Sequence, residues 1–217
     1  MIDPAVLRLY AVTCSGTTDA RALEKALEGG ATAVQLREKE LGDDALLEKA
    51  REFAAICARY RVPLIINDRL DIALRSGAAG VHLGQGDGLT AEARGTLGPG
   101  KILGISVHTV DEAMEAARLG ADYLGIGAVF PTATKADARS VPPRQLRLIT
   151  DAVPLPAVAI GGITQENLPR LRGCGIAGVA VVSAIFLADD ITEAARRLRG
   201  AADEICAPTQ KNPGENR

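Results

Sequence analysis

A glycine signal recurs along this chain, and it narrows the choice of fold more than any other feature. Gly30-Ala31, Gly77-Ala78, Gly120-Ala121 and Gly175-Ile176-Ala177 each close a helical pattern and open an apolar run. They lie roughly 40–55 residues apart, two strand–helix units at a time. The runs between them are entered through proline instead, at Val62-Pro63, Gly98-Pro99 and Leu155-Pro156.

Periodicity fills in the rest. Strands are expected over 7–14, 34–39, 64–68, 81–85, 101–108, 123–130, 155–160 and 178–182. Helices are expected over 19–28, 43–60, 69–75, 90–97, 111–119, 144–152, 167–172 and 191–205, with Asp43 or Asp44 capping the second. Eight βα units in 217 residues fit a single (β/α)8 TIM barrel over 1–205 with few insertions. A doubly wound open sheet is the weaker alternative. The polar tail 206–217, with two prolines and a glycine, is read as disordered.

Composition excludes several classes. A net charge of −2 with 3% aromatics and no Trp argues against nucleic-acid binding. No basic segment followed by an apolar run stands at the N-terminus, and no apolar stretch is long enough to span a bilayer. The cysteines Cys14, Cys57, Cys174 and Cys206 form no CxxC pair and read as reduced thiols of a cytoplasmic protein.

In a barrel, chemistry gathers where the strands end. Read as strand two, Val34-Gln35-Leu36-Arg37-Glu38-Lys39 puts Gln35, Arg37 and Lys39 on the interior face. Two cations there are costly unless they meet an anion, so the stretch reads as an anion clamp. Strand three ends in Asn67 and Asp68, and Asp87 follows strand four. Two converging carboxylates beside a diphosphate clamp suit Mg²⁺, which takes one or two carboxylates plus phosphate oxygens. Taken singly, Asp68 reads as a helix cap and Asp87 as a turn residue.

Thr132, Thr134 and Lys135 offer two hydroxyls and a point charge for phosphate, although a lysine in a loop is more often simply solvated. Gly161-Gly162 and Val182-Ser183 follow strands seven and eight, where barrels often bind phosphate through backbone amides. Gly-Gly alone is more often a tight turn. A second phosphate site there, separate from the Arg37 and Lys39 clamp, would suggest two phosphorylated substrates. Ser106 and His108 stand near the end of strand five. His82 reads as a satisfied interior histidine, and His108 as a supporting residue or helix start. No HExxH, Walker or GxGxxG pattern is present.

Six blocks together carry a family resemblance: Val34 to Lys39, Ile66-Asn67-Asp68-Arg69, Gly80 to Gln85, Gly104 to Thr109, Pro131-Thr132-Ala133-Thr134-Lys135 and Ile160-Gly161-Gly162-Ile163. In their order and joint occurrence they resemble the thiamine-phosphate synthase family over about residues 7–200. The resemblance implies a transferase that condenses hydroxymethylpyrimidine diphosphate with thiazole phosphate through a dissociative step. It also implies contacts from Gln35, Arg37, Lys39 and Asn67 to the pyrimidine diphosphate. Ser106 would then lie near the pyrimidine, Lys135 near the diphosphate, and Mg²⁺ on Asp68 and Asp87. Thr132, Thr134, Gly162, Val182 and Ser183 would bind the thiazole phosphate.

The chain departs from the family pattern at Gly86, where an acidic residue is usual, and at Cys14, where aspartate is common. Two alternatives remain. A thiazole tautomerase would need a histidine at the end of strand six and no Mg²⁺ carboxylates. A silent precursor-binding barrel would have lost Lys135, Arg37 or an aspartate.

Overall fold

The computed structural model describes residues 2–86, 91–132 and 139–206. Eight parallel strands close in sequence order into a barrel: β1 Leu9–Val12, β2 Ala33–Leu36, β3 Leu64–Asn67, β4 Gly80–Leu83, β5 Ile102–Val107, β6 Tyr123–Gly127, β7 Ala157–Ile160 and β8 Gly178–Val181. Around them lie α1 Ala20–Glu28, α2 Asp43–Arg59, α3 Leu70–Arg75, α4 Ala91–Leu97, α5 Val110–Arg118, α6 Pro143–Ala152, α7 Ser183–Phe186 and α8 Ile191–Cys206. Among the described residues no helix is long and apolar enough to cross a membrane.

Strand period two sorts the core into two layers. Leu9, Ala11, Val34, Leu36, Leu64, Ile66, Leu103 and Ile105 face outward into the layer under the helices. Tyr10, Val12, Ala33, Ile65, Tyr123, Val158 and Ala180 fill the barrel interior. Three of the repeated glycines have a common cause: Gly30, Gly77 and Gly120 take positive φ, the left-handed turn that ends a helix and returns the chain to the sheet, while Gly175, also at positive φ, follows no α-helix.

Caps fix several helix starts. Asp19 accepts from the Ala22 amide at 2.7 Å, and Thr109 from the Glu112 amide at 3.1 Å. Gly42, not Asp43 or Asp44, occupies the cap of α2, whose first turn carries both acids where the helix dipole favours them.

Three expectations are corrected. Strand two stops at Leu36, so Arg37 and Lys39 lie in the loop beyond it. Side chains of the β1–α1 loop capture its backbone: Thr13 Oγ1 accepts from the Arg37 amide at 2.9 Å, and Ser15 Oγ from the Lys39 amide at 3.3 Å. After β7 the chain forms a 3-10 turn over Leu168–Leu171 instead of an α-helix, with Pro169 removing one amide donor. The short α7 follows β8 directly, an element the periodicity does not signal. The last helix runs to Cys206, and the tail expected to be disordered lies, from 207 onward, outside the described residues.

Candidate active site

A cavity of about 710 Å³ opens at the end of the barrel where the strands finish. Its wall contains Gln35, Arg37, Lys39, Asn67, Asp68 and Ser106 from the β2–β5 side. Thr132, Gly162, Val182 and Ser183 contribute from the β6–β8 side. The two groups therefore occupy opposite arcs of one cavity. Asp87, Thr134 and Lys135 lie outside the described residues.

The loop that carries Arg37 and Lys39 is held from behind by Glu38, whose side chain points away from the cavity and is 2% exposed. It accepts from Ser15 Oγ at 2.6 Å and from Lys49 Nζ at 2.5 Å. Burial alone would raise this carboxyl. The hydrogen bonds from Lys49 and Ser15 outweigh it and hold the group below the ordinary glutamate value.

Asp68 is not a helix cap; Arg69 takes that position in α3. Asp68 instead sits at φ +62°, sparsely populated for a residue with a Cβ, and Asn67 Nδ2 donates to its Oδ2 at 2.6 Å. Arg69 turns away from the cavity mouth to Asp43 at 2.8 Å and Asp71 at 2.9 Å, which lowers both carboxyls. Its positive charge is thus spent on tying α2 to α3. Among the described residues no three His, Cys, Asp or Glu side chains form a ready-made metal cage.

On the opposite arc Gly162 packs against the β6–α6 loop. A Cβ there would stand 2.2 Å from the Pro131 carbonyl oxygen. Asn167 fixes this turn by donating from Nδ2 to the Gly162 carbonyl at 2.7 Å while its Oδ1 accepts from the Thr164 amide at 2.9 Å.

His82 is the interior histidine expected, hydrogen-bonded to Tyr123 Oη and Ser106 Oγ, both at 2.9 Å. His108 supports the start of α5, its amide and Nδ1 both engaging Glu112 Oε2. Among the described residues, four polar side chains of the wall had been given no role: Tyr10, Gln85, Glu112 and Arg139. Gln85 donates to the Ser106 carbonyl at 2.6 Å. The spacing Thr109-x-x-Glu112 is a capping-box pattern and could have located Glu112. Tyr10 lies on an all-apolar strand and had no comparable signal.

A family model, thiamine monophosphate synthase, matches residues 9–185. The thiamine-phosphate synthase of Clostridium tetani is 44% identical over 200 residues, covering 90% of this chain and 96% of its own. That of Methanobrevibacter smithii is 48% identical over 195 residues, covering 88% and 93% respectively. Among solved structures, a thiamine phosphate pyrophosphorylase from Pyrococcus furiosus superposes with a TM-score of 0.86 at 37% identity, covering 93% of this chain and 98% of that one.

Proposed function

This chain belongs to the thiamine-phosphate synthase family, the transferases that form thiamine phosphate, and from that premise we propose how its cavity does so. The substrates are hydroxymethylpyrimidine diphosphate and thiazole phosphate; the products are thiamine phosphate and pyrophosphate. The observation that carries this reading is the division of the wall. Arg37, Lys39, two side-chain amides and the Asp68 carboxylate line one arc, and the Thr132 and Ser183 hydroxyls with the Gly161-Gly162 turn line the other, where Arg139 also enters from the β6–α6 loop. Two phosphorylated partners can then meet across the barrel mouth.

The bond between the pyrimidine methylene and the diphosphate oxygen breaks first, and its electron pair leaves with the diphosphate. The ring amino group stabilises the resulting pyrimidine-methyl cation. The thiazole nitrogen then gives its lone pair to that carbon, and no proton has to move. Such a step needs neutralised leaving-group charge and held partners more than a strong base. Arg37, Lys39 and Lys135 supply charge to the diphosphate. Asn67 contacts it, and Gln35 and Ser106 hold the pyrimidine. Thr132, Thr134, Gly162, Val182 and Ser183 hold the thiazole phosphate.

The residues present fit Mg²⁺. Asp68 is a hard oxygen donor kept at the cavity wall against its backbone preference, and Asn67 braces it. A cation that binds mainly through substrate phosphates needs few protein carboxylates. Asp68 and Asp87 would hold it, and when bound it would supply further charge neutralisation at the diphosphate. A cytoplasmic location belongs to the same proposal, supported by four free cysteines suited to a reducing compartment.

The test is an endpoint assay with both precursors and Mg²⁺, following thiamine phosphate by mass. Product that vanishes with EDTA and returns with excess Mg²⁺ is the expected result. Undiminished product under EDTA would overturn the metal assignment, and no product from folded protein would overturn the reaction.

A further inference from the structure

At the floor of the cavity, polar side chains cross the barrel interior in one hydrogen-bonded line, all of them but Tyr123 lining the cavity itself. Gln35 Nε2 donates to Tyr10 Oη at 3.1 Å. Tyr10 Oη lies 2.9 Å from Tyr123 Oη. Tyr123 Oη lies 2.9 Å from His82 Nδ1, and His82 Nε2 lies 2.9 Å from Ser106 Oγ. The line joins β2 to β5 through β1, β6 and β4, so its two ends lie on separate strands of the cavity wall.

The barrel is shaped around it. A Cβ on Gly104 would stand 2.2 Å from Tyr123 Cζ and 2.4 Å from His82 Nδ1, and one on Gly125 would stand 2.8 Å from His82 Cε1. Tyr10 and Tyr123 are 1% and 0% exposed, and burial raises both phenols, so each keeps its proton.

Each phenol then has one hydrogen to give, which makes the line directional. Because Gln35 donates into Tyr10, only one arrangement gives every hydrogen an acceptor along the line. Tyr10 donates to Tyr123, and Tyr123 donates to His82 Nδ1. The imidazole hydrogen is then on Nε2 and passes to Ser106 Oγ. Gln35 Oε1 is left as an acceptor at one end, and the Ser106 hydroxyl as a donor at the other. If the line ran the other way, both ends would invert.

We infer that Tyr10, Tyr123 and His82 are positioning residues that set this polarity and so select an aminopyrimidine over its 4-oxo counterpart. This rests on the proposed placing of the pyrimidine against Gln35 and Ser106. An amino group donates where Gln35 accepts, and an unprotonated ring nitrogen accepts where Ser106 donates. A 4-oxo ring offers a carbonyl and a ring N–H, the opposite pattern, and leaves buried groups unmatched.

The test compares wild type with Tyr123→Phe and Tyr10→Phe, which keep the ring volume and remove one link each. Three quantities are read: KM for the aminopyrimidine diphosphate, Ki for its 4-oxo counterpart, and KM for thiazole phosphate. Wild type should favour the amino compound. In each variant the Ki-to-KM ratio should fall by about tenfold, with the KM for thiazole phosphate unchanged. If one variant fails to fold, the other breaks the same line. An unchanged ratio, or equal losses for both pyrimidines, would overturn the inference while leaving the reaction standing. A wild type that turns over neither pyrimidine would overturn the reaction itself.

Discussion

The Glu38 carboxylate and the Lys49 ammonium lie 2.5 Å apart beneath the loop that carries Arg37 and Lys39. The two cations thus flank a buried anion that faces the opposite way. Ser15 and the Gly16 amide also donate to Glu38, tying the β1–α1 loop to the loop after β2.

Replacing Glu38 by Gln should therefore damage both stability and substrate capture. Lys49 would lose its charged partner, at a cost of about 1–3 kcal/mol, and KM for the pyrimidine diphosphate should rise. The folded carboxyl titrates below its ordinary value of 4.5, so the unfolded chain takes up its proton first as pH falls. The stabilisation is then full at neutral pH and lost on acidification. The difference in urea stability between wild type and E38Q should be largest at pH 7 and smaller at a pH below the ordinary glutamate value of 4.5. An equal difference at both values would show that the charge is not the cause.

Much of this was legible from the sequence because the decisive signals are local. Helix-ending glycines, strand-entering prolines and polar strand ends all mark their elements within a few residues, and together they give the barrel and most of its wall. The early end of β2 is not local. It depends on Thr13 and Ser15, 24 residues upstream, taking the Arg37 and Lys39 amides. The line through Tyr10 and Tyr123 is hidden for another reason. Strands buried on both faces read as continuous apolar runs, so nothing in the pattern says which residues point inward.

Asp68 should show function opposed to stability. Its carboxylate is held at φ +62°, a conformation glycine adopts freely. Asp68→Asn should lower turnover by on the order of 10²–10³-fold without lowering the melting temperature. Asp68→Gly should be as inactive, and either neutral or up to about 1 kcal/mol more stable. Near-normal turnover in either variant would remove Asp68 from the metal site.

Lys135→Ala tests the charge assigned to the β6–α6 loop. If that ammonium neutralises the departing diphosphate, kcat should fall on the order of 10²-fold while thermal stability stays unchanged. Lys135→Arg should recover part of the rate, since it restores the charge with a different shape. An unaltered kcat in the alanine variant would return this lysine to an ordinary solvated loop position.

Gly162→Ala should act on the opposite arc. At φ +62° the backbone resists any Cβ, and this one would press to 2.2 Å on the Pro131 carbonyl oxygen and 2.9 Å on that of Phe130. Both obstacles are backbone, so relief requires the β6–α6 loop to move away, carrying Thr132 with it. The substitution should cost about 1–3 kcal/mol of stability and raise KM for thiazole phosphate by tenfold or more. KM for the pyrimidine diphosphate should change less, because Gln35, Arg37, Lys39 and Asn67 stand on the other side of the barrel and, of the residues assigned to that substrate's diphosphate, Lys135 alone belongs to the loop that moves. Steady-state kinetics with each substrate varied in turn decides the matter. A rise confined to the pyrimidine side would mean that the two arcs do not hold the partners assigned to them.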